Sequence, residues 1–156
     1  MRDLFKNFTL LPTLCVLFIT TSASHAKPVD FKDEENVRET VFLYQFSHNA
    51  SALKQKAKAY YLTIGTNGAD PSDNLLKRFA GHKPPVFKIS KLKPNNKKEI
   101  DGLTFKITNL RWISETEVEV TGGYYEGPLS SSGGIYRVKK HNGKWIVLNY
   151  QEQWIS

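Results

Sequence analysis

Cysteine is nearly missing from this chain. Cys15 is the single one among 156 residues, and it lies inside an N-terminal apolar run. Without that run, the remaining chain can hold no intramolecular disulfide, thiol nucleophile or thiolate metal ligand. Catalytic and cofactor signatures are missing too. Ser130-Ser131-Ser132-Gly133-Gly134 is not G-x-S-x-G, and Gly122-Gly123 leading to Gly127 matches neither a dinucleotide fingerprint nor a phosphate loop. Beyond residue 26 the histidines are His48, His82 and His141, none at ligand spacing from another. No catalytic residue, metal or cofactor is therefore expected. Long apolar runs are also lacking: Phe8 to Ile19 is shorter than the roughly 20 residues a spanning helix needs, and Pro12 interrupts it.

What the N-terminus does carry reads as a secretory signal. Arg2 and Lys6 form a short positive region, the apolar run follows, and Ser24-His25-Ala26 offers small residues at both cleavage-determining positions. The expectation is a signal peptide over 1–26 and a single domain over 27–156. The sequence around Cys15 argues against lipid attachment, because Leu14 and Val16-Leu17-Phe18 surround it. Loss of Arg2, Lys6 and Asp3 takes the basic and acidic counts from 22 and 15 to about 20 and 14, a net charge of about +6. The lysines are spread along the chain, as on a solvated surface. The expected partner is an envelope protein or a small ligand, not nucleic acid, with no stable membrane span once the signal is cleaved.

Periodicity divides the rest. Asp33 is placed to cap a helix with Glu34 and Glu35 in its first turn and Val37, Val41, Phe42, Tyr44 and Phe46 along its apolar side, ending near Ser47-His48-Asn49. Ala59 to Ile64 reads as a strand. Asp70 with Pro71 predicts a second cap, ahead of Leu75, Leu76 and Phe79. Val86 to Ile89 suits a short edge strand, and Lys91 to Asp101 a loop whose composition suggests mobility. Leu103 to Ile107 alternates, then continues through Leu110 and Trp112 after a phase shift near Asn109 that fits a bulge. Asn142-Gly143 marks a type I′ hairpin. Counting back from it pairs Val138 with Val147, Tyr136 with Asn149, Arg137 with Leu148 and Ile135 with Tyr150. The expected class is α+β: N-terminal helices packed on a curved, mainly antiparallel sheet that ends in a meander.

The candidate site lies in this last half. Alternation assigns Tyr124 to the core with Val118 and Val120, and Tyr125 to the opposite face. Tyr125, Glu126 and Arg137 are candidates to meet a ligand. The second face of the final hairpin, with Ile135, Ile146, Leu148 and Tyr150, is too apolar to be simply solvated. Tyr125, Glu126, Arg137, Leu148 and Tyr150 are accordingly the expected ligand- or partner-binding residues, in an exported binding domain. Two alternatives remain. One is a small hydrolase or isomerase with a cone-shaped pocket, Glu126 as its acid/base and Tyr125 or Arg137 stabilising charge. The other is an inhibitor or immunity-type protein.

Val37-Arg38-Glu39, Asp70-Pro71-Ser72, Trp112-Ile113-Ser114, Gly122-Gly123-Tyr124-Tyr125-Glu126, Gly143-Lys144-Trp145 and Trp154-Ile155-Ser156 together resemble a group of small exported bacterial proteins of unassigned function. Helices first and a sheet last, closing on a Gly-Lys-Trp strand, is similar to the nuclear-transport-factor-2-like (cystatin-like) α+β architecture. The early strand at Ala59 to Ile64 departs from the usual helical opening of that architecture.

Overall fold

A helix whose first turn holds Asp33 and Glu34 starts well, because acids there oppose the positive end of the helix dipole. In the computed structural model, which describes residues 30–52, 54, 56–93, 102–127 and 129–156, this helix is α1 (Phe31–His48). The expected signal segment and residues 94–101 of the lysine-rich loop lie outside the described residues. Asp33 is not the cap. The carbonyl of Asp30 accepts from the backbone N–H of Asp33 (2.9 Å) and of Glu34 (3.2 Å), so the helix starts earlier. Asp33 is thereby freed for a tertiary role. Its carboxylate accepts from Lys140 Nζ (3.0 Å to each oxygen) and Trp145 Nε1 (3.1 Å). At the other end, Asn49 Nδ2 donates to the carbonyls of Gln45 (2.9 Å) and Phe46 (3.1 Å), closing the helix where the polar run begins.

Partial burial pushes the Asp33 carboxyl upward, but the hydrogen bonds from Trp145 and Lys140 and the charge of Lys140 outweigh it and hold the group below its ordinary 3.8. A carboxyl depressed in the folded state stabilises above its unfolded pKa, and that contribution is lost as pH falls through the folded value. Asp33→Asn should therefore be less stable than the parent at neutral pH and converge on it below about pH 4. Urea denaturation of both proteins across that range is the check; a difference independent of pH would refute the assignment.

Among the described residues six strands follow: β1 (Ala59–Ile64), β2 (Val86–Lys88), β3 (Gly102–Ser114), β4 (Glu117–Gly127), β5 (Ser130–His141) and β6 (Lys144–Ile155). They form one mixed sheet in the order β2-β1-β3-β4-β5-β6, which is not closed. The fold is α+β. β3 to β6 make the expected antiparallel meander, whereas β1 runs parallel to both its neighbours. Parallel neighbours need crossover connections. The β1–β2 link carries the short helix α2 (Asp73–Lys77) and a buried Leu75.

The cap of α2 is Ser72, not Asp70. Ser72 Oγ accepts from the N–H of Leu75 (3.0 Å) and donates to Glu35 Oε1 (2.5 Å). Asp70 instead accepts from the N–H (2.9 Å) and hydroxyl (2.7 Å) of Ser90, bonds that hold its carboxyl below the usual range.

One face of the sheet meets α1. Val37, Val41, Phe42 and Phe46 share a core with Leu62, Leu103, Phe105, Ile107, Val118, Val120, Tyr124, Tyr136, Val138 and Trp145. Fully burying one such side chain stabilises by roughly 1.5–3 kcal/mol. The β3–β4 register shifts between Ile107 and Asn109, so the expected bulge is present, and it keeps Leu110 and Trp112 opposite Val120 and Val118.

The final hairpin has its type I′ turn, with φ of 48° at Asn142 and 77° at Gly143. Its pairing holds as counted from the turn as far as Val138 with Val147. Beyond that a bulge at Leu148 pairs Arg137 with Asn149, Tyr136 with Tyr150 and Ile135 with Gln151. Because side chains alternate, this one extra residue moves Tyr150 onto the face of Tyr136.

Candidate functional site

The face of the sheet away from α1 carries the site. At its centre four glycines face each other in register, Gly122 with Gly134 and Gly123 with Gly133. A Cβ on Gly123 would lie 2.1 Å from the backbone oxygen of Ser132, and one on Gly134 2.1 Å from that of Gln151. The backbones approach too closely here for side chains, so the middle of β4 and β5 stands bare.

Larger groups stand around that bare patch. The β5–β6 register shifts between Gly133 and Gly134, pairing Gly133 with Trp154 and Gly134 with Glu152. The extra residue turns Trp154 over Gly133, where a Cβ would meet the indole at 2.7 Å. The strand end carrying this indole is pinned to β5 by reciprocal backbone bonds between Ser131 and Ser156 (3.1 and 2.9 Å). Tyr125 stands at another side, and Ile89 and Leu92, following β2, complete a groove of about 600 Å³. Thr104, Lys106, Thr108 and Thr121 line its base. Thr108 Oγ1 donates to the carbonyl of Thr121 (3.2 Å). Among the described residues no carboxylate or imidazole lines this groove. Its chemistry is that of a container: apolar and aromatic walls, hydroxyls and one ammonium.

The five residues singled out from sequence are dispersed. Tyr125, 47% exposed, lines the groove as expected for its face. Glu126 is the extra residue where the β4–β5 register shifts, and its Oε2 accepts from Ser51 Oγ (2.6 Å) and Ser130 Oγ (2.7 Å), tying β4 to the segment after α1. Arg137 Nε donates to Glu117 Oε1 at 2.6 Å. It lies opposite Glu119, six residues along β4 from Tyr125 or about 20 Å at a strand's rise. Leu148 sits exposed at the bulge. Tyr150, moved by that bulge, stacks on Tyr136 with ring centroids 4.6 Å apart. The two help to line a crevice of about 50 Å³ on the α1 side, with Tyr44, Gln45, His48 and Glu152. Burial drives both the Tyr136 and Tyr150 hydroxyls to titrate above their usual range, so they stay protonated at neutral pH.

Sequence reasoning did not single out Lys106, Thr104, Thr108, Thr121, Ile89 or Leu92. For the β3 residues a signal existed: Thr104, Lys106 and Thr108 are the polar half of an alternating strand whose apolar half is core. Nothing local marks Ile89 and Leu92, since only the parallel placement of β2 beside β1 brings them near β3.

Among the described residues no three His, Cys, Asp or Glu side chains gather as metal ligands, and no helix is long and apolar enough to cross a membrane. The chain matches no family model, and neither the curated proteins nor the solved structures contain a significant match to it.

Proposed function

We propose that this protein is an exported binding domain that holds a small, largely apolar molecule in the groove over the paired glycines. The observation that carries the reading is the groove itself, about 600 Å³, walled by Ile89, Leu92, Tyr125 and Trp154. That volume and that mixture of apolar walls with a few polar groups are those of sites for drug-sized ligands. The N-terminal run and Ser24-His25-Ala26 support export to the periplasm or beyond. The helix-backed, curved sheet of the nuclear-transport-factor-2-like architecture is the fold we assign, one that hosts binding modules and enzymes alike. The hydrolase or isomerase alternative requires Glu126 and Arg137 to converge with Tyr125. Arg137 stands too far along β5 for that, and Glu126 is engaged by two serines.

Filling the groove tests the reading. Thr121 is exposed at its base, so Thr121→Trp should occupy the space without disturbing the core. The neutral naphthalene dye prodan is expected to bind the parent saturably with one site. The variant should bind at least about tenfold more weakly, a loss near 1.4 kcal/mol, with its melting temperature retained. Equal binding by parent and variant, or no saturable binding by the parent, would refute the proposal.

A further inference from the structure

We infer that the ligand carries one negative charge on an apolar body, and that this charge is a carboxylate recognised by Lys106. This inference rests on the groove being the binding site. Among the described residues Lys106 is the only cation lining it, and no carboxylate lines it. Several other basic side chains are paired, Lys88 with Asp73, Arg78 with Glu39, Arg137 with Glu117 and Lys140 with Asp33, and Lys77, Lys139 and Lys144, without an ion pair among the described residues, do not line the groove. Among the described residues the Lys106 ammonium has neither an ion pair nor a hydrogen bond.

Its position in the sheet explains why it is open to a ligand. Lys106 lies opposite Gly123 on β4, which has no side chain to cover it, and opposite Thr63 on β1, which is buried. The stem is half-buried, so the charge is less screened than on a free surface. Thr104 precedes it by two residues on the same face, and neither Thr104 nor Thr121 spends its hydroxyl on a bond within the described residues. Lys106 and these two hydroxyls together offer the donors that the two oxygens of a carboxylate need. The walls decide the rest of the molecule, since an inorganic ion would leave Ile89, Leu92 and Trp154 without contact. A single lysine, a point charge with no arginine fork beside it, suits one negative charge better than a phosphate's two.

Decanoate, decanol and decyltrimethylammonium, titrated calorimetrically below their micelle concentrations, separate the possibilities. The parent is expected to bind decanoate about tenfold more tightly than decanol and to bind the cation weakest. Lys106→Met, which keeps the stem and removes the charge, should erase the preference for decanoate, and Lys106→Arg should retain most of it. Thr121→Trp should weaken all binding. Equal affinity of the parent for decanoate and decanol, or a preference that survives Lys106→Met, would overturn the carboxylate inference while leaving the groove in place. Binding of none of the three, or binding indifferent to Thr121→Trp, would overturn the groove reading with it.

Discussion

Gly123→Ala is expected to destabilise the domain by about 3 kcal/mol or more, at the severe end for a single methyl group. The new Cβ would lie 2.1 Å from the backbone oxygen of Ser132 and 2.6 Å from the Cα of Gly133. Both atoms belong to the paired strand, so no rotamer change can relieve the clash. β4 and β5 would have to separate where Gly123 faces Gly133, and hydrogen bonds on either side would lengthen with them. Gly81→Ala provides the contrast. Gly81 has φ of +83°, and a methyl group added there would meet nothing within 4 Å, so only backbone strain of roughly 1–2 kcal/mol opposes it. Urea denaturation of the two variants should rank them clearly; Gly123→Ala no worse than Gly81→Ala would dismiss the close-approach account. Gly133→Ala should behave differently again. Its Cβ meets the Trp154 indole, a side chain that can swing away, so the groove should lose a wall before the fold loses much stability.

Arg78→Met should cost about 2–3 kcal/mol, because it leaves a buried carboxylate behind. Glu35 is 5% exposed and lies 3.5 Å from Arg78 Nη2, with Ser72 as its other partner. Arg78 Nη1 also donates to Asn36 (2.7 Å) and Glu39 (2.8 Å), fastening α2 to α1. Arg78 is itself about a quarter exposed, so water reaches the site in the variant and softens the full penalty of an unpaired buried charge. Adding Glu35→Gln to Arg78→Met removes the stranded charge, so the double variant should be more stable than the sum of the two single losses. A double-mutant cycle gives that coupling directly, and strict additivity would show that the carboxylate does not depend on the arginine.

Much of the architecture is legible in local pattern, and the misses have physical causes as well. Asn142-Gly143 announces its hairpin because both central positions need positive φ, a requirement the two residues meet alone. The cap expected at Asp70 fails for a different reason. Asp70 and Ser72 are both good capping residues, and local chemistry does not rank them. Glu35 on α1 takes the hydroxyl of Ser72 while Ser90 occupies Asp70, and both partners arrive only with the tertiary fold. Asp33 likewise has the local features of a cap, because its partners, Lys140 and Trp145, are more than a hundred residues away.

The candidate site divides along the same line. Alternation and turn chemistry determined that Tyr124 is buried and Tyr125 exposed, that β3 carries a bulge, and that the chain ends in an antiparallel meander, because each depends on a few neighbouring residues. Only the tertiary structure decided that Tyr125, Lys106 and Trp154 share one groove while Arg137 and Tyr150 stand elsewhere. Arg137 is separated by its distance along β5, and two one-residue bulges in β6, at Leu148 and before Trp154, set the faces of Tyr150 and Trp154. A bulge follows from how a whole strand fits its partner, and its effect is to exchange the faces of every residue beyond it.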